Sequence, residues 1–215
     1  NLPFFLTLSI FMAKDSGNGL RLPLTPCLLE ILKSHIMLKR TLKQRQITGE
    51  DSGDVALRHL YEEAFPEDEQ IPWGSLVGLI SKMNLDFTAY YIDNQLVGFT
   101  IVYPTNSYNW FWYFAVQPNL RGKGIGQQIL TEYKNKYKGQ RNILDIESPV
   151  HPCDNPEQRK RRHDFYLRNG FRDTFVYKTF DTVTMTIMMM GDGTFTAQDY
   201  DCIIDDLKRF WWKGL

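Results

Sequence analysis

Three glycines at alternate positions, Gly122, Gly124 and Gly126, lie among the cations Arg121 and Lys123 and open onto an amphipathic run that begins at Ile125. Glycine lets a ligand come close to the backbone, and the first N–H groups of a helix have no intrahelical partner, so such a loop suits phosphate. Three phosphate-binding patterns compete for it. A P-loop needs GxxxxGK followed by Ser or Thr to hold magnesium, and here Lys123 is followed by Gly124. A dinucleotide fingerprint needs GxGxxG, but counted from Gly122 the third glycine position is Gln127, with Gly126 one residue early. Asp145 does lie about 20 residues on, as that fingerprint requires. The pattern that remains is Arg-x-x-Gly-x-Gly, formed by Arg121, Gly124 and Gly126, with Val116 and Pro118 ahead of it. It offers backbone amides and two cations to a pyrophosphate that needs no metal.

Other reactive-looking groups have plainer readings. His151 and Cys153 lie two apart in a proline-flanked loop with no second ligand pair, so no metal site is expected. A nucleophilic role for Cys153 would need a low-pKa setting that nothing indicates. Arg159 to Arg162 (RKRR) reads as a solvated helix face, with the 3′-phosphate of a nucleotide as the alternative partner. Met188 to Met190 reads as core, and Trp73, Trp110 and Trp112 as core aromatics that could also shape a pocket.

The elements that must position the loop follow from pattern. Lys39 to Gln46 suits a strand, and Asp51 is expected to cap a helix with Val55, Leu60, Tyr61 and Ala64 on its apolar face, ended by Pro66. A second helix fits Trp73 to Met83. Phe87 to Ile92 and Gln95 to Tyr103 flank Asp93-Asn94 as a hairpin. Asn109 to Val116 (NWFWYFAV) is continuous and aromatic, which predicts a strand buried on both faces. The glycine loop and a helix with Ile129, Leu130, Tyr133 and Tyr137 on one side come next. Arg141 to Glu147 is a strand, and Asn155-Pro156-Glu157 starts a helix that Gly170 ends. Phe171 to Phe180 and Thr182 to Met189 are strands, and Ala197 to Trp212 is a last amphipathic helix. Its closing LKRFWW, Leu207 to Trp212, leaves packing on the sheet or on another copy, as in a homodimer, open.

Composition sets limits on function. Across 215 residues, Lys+Arg and Asp+Glu are equal at 25 each, so no global field draws the protein to nucleic acid or anionic lipid. Cys27, Cys153 and Cys202 form no CxxC pair, which fits a reducing cytoplasm. Leu2 to Ala13 is apolar but shorter than the roughly 20 residues that span a bilayer. Residues 1–36 are expected to be a reading-frame extension or a fragment of something upstream, the alternative being a membrane-touching helix. Residues 37–195 are then the domain, and 196–215 a C-terminal helix.

At these residues the sequence resembles the GNAT superfamily of acetyl-CoA-dependent N-acetyltransferases. Arg121-Gly122-Lys123-Gly124-Ile125-Gly126 is similar to its R/Q-x-x-G-x-G/A signature, and Phe165-Tyr166 followed by Asn169-Gly170-Phe171 to its "FY…GF" segment, in the family's order of strands and helices. The resemblance covers Met37 to about Met190. It implies an α/β (α+β) fold with a central mixed, mostly antiparallel sheet of about six to seven strands, flanked by helices and splayed at the strand before the signature. It implies acetyl-CoA as cosubstrate, no metal, and direct attack by a primary amine, small-molecule or peptidyl, in a ternary complex. Phe114 and Ala115 would line the pantetheine arm, and the N–H of Val116, freed by a bulge, would face the acetyl oxygen. Arg121, Gly122, Lys123, Gly124, Ile125 and Gly126 would hold the pyrophosphate. Tyr166 would face the sulfur and protonate the leaving thiolate. Glu147, at the strand end across the splay, is the expected base, with Glu69 in the EDEQIPW loop next. A GNAT domain that binds acyl-CoA as a sensor or interaction module without turnover is the alternative.

Overall fold

The computed structural model describes residues 41–180 and 182–211. Expectations about residues 1–36, and about Lys39, Cys27 and Trp212, fall outside that range. The elements in chain order are β1 (Lys43–Gln46), α1 (Val55–Ala64), α2 (Trp73–Lys82), β2 (Asp86–Ile92), β3 (Gln95–Pro104), β4 (Asn109–Val116), α3 (Ile125–Lys136), β5 (Asn142–Glu147), α4 (Pro156–Arg168), β6 (Arg172–Phe180), β7 (Val183–Met190) and α5 (Ala197–Trp211). The strands form one sheet in the order β1-β2-β3-β4-β5-β7-β6. Every neighbouring pair is antiparallel except β4–β5. This is the mixed, mostly antiparallel sheet the resemblance implies.

Local sequence explains most element ends. Asp93 and Asn94 both take positive φ, 50° and 63°, which is what a two-residue hairpin turn between β2 and β3 demands of its central residues. Gly170, at φ 91°, ends α4, and the Phe171 amide folds back onto the Tyr166 carbonyl at 3.1 Å. The start of α1 differs from expectation. Asp54, not Asp51, caps it, accepting from the Leu57 amide at 3.0 Å. Asp51 instead closes a capping box with Thr48 over a 3-10 turn, Gly49–Gly53, which separates it from the helix. Val55 is consequently 78% exposed, and the apolar face of α1 is Leu57, Leu60 and Tyr61.

The sheet separates two cores. On one side α1, α2 and α5 pack through Leu57, Leu60, Leu76, Ile80, Tyr200 and Ile203 onto Phe87, Phe99, Ile101, Trp110, Ile143 and Ile187. On the other, Leu130 and Tyr133 of α3 and Tyr166 of α4 meet Phe111, Leu144, Ile146 and Met188, while Ile125 and Ile129 meet Tyr90, Ile92 and Val97. Burying each such side chain stabilises the fold by about 1.5–3 kcal/mol. The last helix therefore packs on the sheet of its own chain, with Tyr200 and Ile203 buried. Met188 and Met189 are fully buried, as read from the sequence. Among the described residues, no helix is long and apolar enough to cross a membrane.

Strands β4 and β5 give the sheet its functional shape. Their parallel pairing covers Asn109↔Asn142 and Trp110↔Ile143 and then stops. A buried polar network closes that end. Asn142 accepts from the Tyr133 hydroxyl at 2.8 Å and donates to the Gln140 carbonyl at 2.8 Å, and Asn109 donates to the Gln140 side chain at 2.7 Å. Just beyond, the β3–β4 register steps from Val102↔Phe111 to Ile101↔Tyr113, so Trp112 is the extra residue of a bulge. Past the bulge β4 stays on β3 and leaves β5, and a wedge opens toward Val116 and Glu147.

Candidate active site

The glycine loop sits at the open end of the wedge. A 3-10 turn, Pro118–Leu120, follows β4 and delivers the chain to α3. Gly122 and Gly124 have φ of 73° and 81°, in the left-handed region that L side chains adopt at a cost of about 1–2 kcal/mol. Gly124 is the N-cap of α3, and having no side chain it caps nothing. The first amides of α3 thus remain available to an anion, with the positive end of the helix dipole behind them. A Cβ on Gly126 would lie 3.6 Å from each of Phe114, Phe165 and Val116, so this residue is where β4, α3 and α4 converge. Ile125 is fully buried and anchors the loop. Arg121 is tied back, its Nε donating to the Val116 carbonyl at 3.2 Å, and Lys123 is partly exposed beside it. This is a cradle of backbone with cations at its edge, and it fits a pyrophosphate.

The backbone of Val116 is turned into the wedge. Gln117 donates to the Val97 carbonyl at 3.0 Å, so the Val97–Gln117 pair is hydrogen-bonded. Opposed residues of an antiparallel ladder alternate, and Gly98↔Val116 is therefore a pair whose N–H and C=O groups point away from each other. On β4 that direction is the gap left by β5. The sequence expectation attributed a free Val116 amide to a bulge in this strand. The bulge lies at Trp112, four residues earlier, and what frees the Val116 amide is the departure of β5. Phe114 and Val116 face α3 and α4, with the Phe114 ring 6.4 Å from Phe165 and nearly parallel to it, while Ala115 is buried on the opposite side.

Tyr166 is buried on α4 against Phe171, ring centroids 5.6 Å apart. Burial pushes its phenol above the usual range; the negative charge of Asp145 adds to the shift, and the positive charge of Arg162 opposes it. It is thus protonated at neutral pH and available as a hydrogen-bond donor. Gln127 of α3 hydrogen-bonds Asn169, which in turn donates to the Phe165 carbonyl at 2.8 Å, so the glycine-loop helix and the tyrosine helix are fastened together.

The carboxylates fall in different surroundings. Glu147 accepts from Arg159 Nη2 at 2.7 Å and from Arg162 Nη1 at 3.2 Å. Arg159 is itself 9% exposed and bound through Nε to Asn155 Oδ1 at 2.9 Å. The RKRR run is therefore divided: Arg159 and Arg162 turn onto Glu147, Lys160 pairs with Asp164 at 2.6 Å, and Arg161 is exposed. Glu69 is exposed at the end of a 3-10 turn, Glu67–Glu69, across the sheet from the glycine loop; the Tyr113 hydroxyl donates to its backbone carbonyl at 2.8 Å. His151 is bonded to the buried Ser148 at 2.8 Å and stacks edge-on to Tyr177. Among the described residues, no group of three or more His, Cys, Asp or Glu is arranged to hold a metal ion. Trp73 spends its indole N–H on the Ser52 carbonyl, away from the wedge.

Sequence reasoning passed over Asp145 as a site residue. Its two oxygens accept from Trp110 Nε1 at 2.8 Å and from the Tyr200 hydroxyl at 3.2 Å, inside the wedge between β4 and β5. The available signal was an acid set between the buried Leu144 and Ile146 in the middle of a strand.

A sheet parted beside a glycine-opened helix, with a buried tyrosine on the next helix, matches the GNAT fold. Residues 84–173 match the family model described as an acetyltransferase (GNAT) domain. A protein assigned to the GNAT acetyltransferases of Bacteroides thetaiotaomicron is 26% identical, with a TM-score of 0.63 over 77% of this chain and 95% of its own. A GNAT-family protein of Desulfovibrio desulfuricans, 18% identical, shares the fold at TM-score 0.55 over 70% of this chain and 99% of its own. Another from Elizabethkingia anophelis, solved with acetyl-CoA bound, shares it at 15% identity and TM-score 0.51 over 70% and 98%. A search of curated proteins finds no match.

Proposed function

We propose that this domain transfers the acetyl group of acetyl-CoA to a primary amine, by direct attack of the amine in a ternary complex. The observation that supports the reading is the meeting of β4, α3 and α4 at Gly126, beside the uncapped start of α3 at Gly124 and the Val116 amide turned into the gap, with Tyr166 on the same α4. Arg121, Gly122, Lys123, Gly124, Ile125 and Gly126 hold the pyrophosphate through backbone N–H groups and local charge. Phe114 and Ala115 flank the pantetheine arm, and the Val116 N–H stabilises the oxyanion that develops on the acetyl carbonyl. Tyr166 gives its proton to the departing thiolate, burial keeping the phenol protonated at neutral pH until then. The acceptor, a small molecule or a peptide, approaches from the α1, α2 and α5 side, where Glu69 borders the opening and can receive a cationic group. The protein would work in the cytoplasm, where acetyl-CoA and reduced cysteines are both at hand.

One observation favours a second reading, a CoA-binding module without turnover. Glu147, the best-placed base by sequence, is already engaged in ion pairs with Arg159 and Arg162. Thiol release from acetyl-CoA with a panel of primary amines separates the two. Amine-dependent release is the expected result, and tight CoA binding without release from any amine sinks the transferase reading.

A further inference from the structure

Asp145 and Glu147 stand two residues apart on β5, and their surroundings are opposite. Glu147 is held by two guanidinium groups. Asp145 is held by two neutral donors, the Trp110 indole and the Tyr200 hydroxyl. Among the described residues no lysine, arginine or histidine pairs with it. Tyr113 of β4 and Tyr166 of α4 also feel its charge. Lys178 of β6 lies 5.6 Å over the Tyr200 ring and pairs with Asp201 at 2.5 Å. A carboxylate in low dielectric without a counter-ion is costly unless a cation or a proton arrives.

Its position suits both arrivals. Asp145 lies on β5 two residues beyond the last β4–β5 pair, inside the wedge. The bulge at Trp112 directs Trp112 and Tyr113 toward the same side of the sheet, where Trp112 stacks on Trp110 at 5.6 Å. Aromatic faces beside a carboxylate attract an ammonium group. Burial raises the Asp145 carboxyl above the usual carboxylate range, only partly offset by the hydrogen bonds from Trp110 and Tyr200, so it is a stronger base than an exposed aspartate.

We propose that Asp145, with Trp110 and Trp112, receives the acceptor as a primary ammonium ion and takes its proton, leaving the free amine to attack. The assignment rests on the acetyltransferase reading and names its acceptor class, a compact cationic amine. One proton passes from the ammonium nitrogen to Asp145. The neutral nitrogen then forms the C–N bond, the C–S bond breaks, and Tyr166 protonates the sulfur and is reprotonated from the nitrogen. Asp145 later releases its proton to solvent.

The test compares the wild type with Asp145→Asn and Tyr200→Phe, measuring thiol release across pH 5–9 with a diamine and acetyl-CoA binding by calorimetry. Asp145→Asn is expected to lower kcat/KM at pH 7 by about 10²- to 10³-fold and to remove the acid limb that Asp145 contributes, with acetyl-CoA affinity unchanged. Tyr200→Phe withdraws a bond that favours the ionised form, so that limb should move to higher pH. A purely structural Asp145 would not move it. Tryptophan fluorescence gives a reading without turnover: the pH-dependent emission of the wild type should be lost in Asp145→Asn. Thiol release within about threefold of wild type in Asp145→Asn, or a limb unmoved in Tyr200→Phe, overturns the assignment alone. No release by the wild type, with CoA still bound, overturns the acetyltransferase reading and this assignment with it.

Discussion

The two ends of the β4–β5 pair are built from the same two strands and do opposite things. At the closed end Asn109, Asn142, Gln140 and Tyr133 use their hydrogen-bonding groups on one another, and Asn142 is wholly buried. At the open end the backbone polar groups of Phe114 and Val116 and of the first turn of α3 are turned toward the gap. The difference lies in what the strands are paired with. A buried polar group must be satisfied by the protein or by something bound to it, so the closed end holds the fold, whereas the open end leaves its groups to solvent or to a ligand. The charged residues follow the same division. Asp86, which latches the far end of α3, pairs with Lys136 of that helix, whereas the carboxylate of Asp145, inside the wedge, has only neutral donors.

The largest break in that comparison should come from the open end. Gly124→Glu adds a Cβ where φ is 81° and places a carboxylate at the anion cradle. Acetyl-CoA affinity is expected to fall about 100-fold or more, on the order of 3 kcal/mol, in a titration calorimeter. The closed end should remain intact, with the far-UV and near-UV spectra of the wild type. Unchanged affinity would remove the glycine loop from the site.

Tyr166→Phe should separate chemistry from binding at the same end. The phenol is the only part lost, and Phe fits among Phe165, Phe171 and Leu144. We expect kcat to fall about 10²-fold while acetyl-CoA affinity stays near that of wild type. A loss confined to KM would make Tyr166 a packing residue.

Asn142→Ala tests the closed end. It strands the Tyr133 hydroxyl and the Gln140 carbonyl in a buried site. Leaving such groups unsatisfied costs about 2–3 kcal/mol in total, read as a lower urea midpoint, and acetyl-CoA affinity should change little. A variant as stable as wild type would show that the network is not what bolts β4 to β5.

These contrasts also explain what could be read in advance. The order of elements along the chain, the helix opened by glycine and the Gly170 stop were legible because each rests on residues near one another in sequence: Gly124 with Ile125, or Tyr166 with Gly170 and Phe171. The cap of α1 was misread by three residues because Asp51 and Asp54 both suit a cap, and only the 3-10 turn between them decides. A bulge was expected in β4 without a position; it lies at Trp112, which is fixed by the β3 register rather than by β4 alone. The carboxylates were the least legible part. Arg159 and Arg162 reach Glu147 from 12 and 15 residues away, and Trp110 and Tyr200 reach Asp145 from 35 and 55. Whether an acid is neutralised or left to act depends on such distant partners, which no local pattern encodes.

The smallest effect should come from acid, and it should fall on the far end of α3. Asp86 opens β2 and holds the last turn of that helix through Lys136 at 2.5 Å and the Tyr137 hydroxyl, with Thr88 at 2.9 Å. Burial alone would raise its carboxyl, but Lys136, Tyr137 and Thr88 outweigh burial and hold it below the usual carboxylate range. A carboxyl depressed in the folded state contributes stability that is fully present above its unfolded pKa, about 3.9, and is lost as pH falls through the lower folded value. Because Lys136 is 42% exposed, the contribution is at most about 1 kcal/mol. Melting temperatures of the wild type and Asp86→Asn should therefore differ above pH 4 and converge as pH approaches 2. Asp145, whose carboxyl is raised, should give the reverse sign: its ionisation costs stability as pH rises, so Asp145→Asn should melt above wild type at pH 8 and gain less at pH 3. Parallel pH dependences in the two variants would end the distinction between a latch at one end of the wedge and a reactive carboxylate within it.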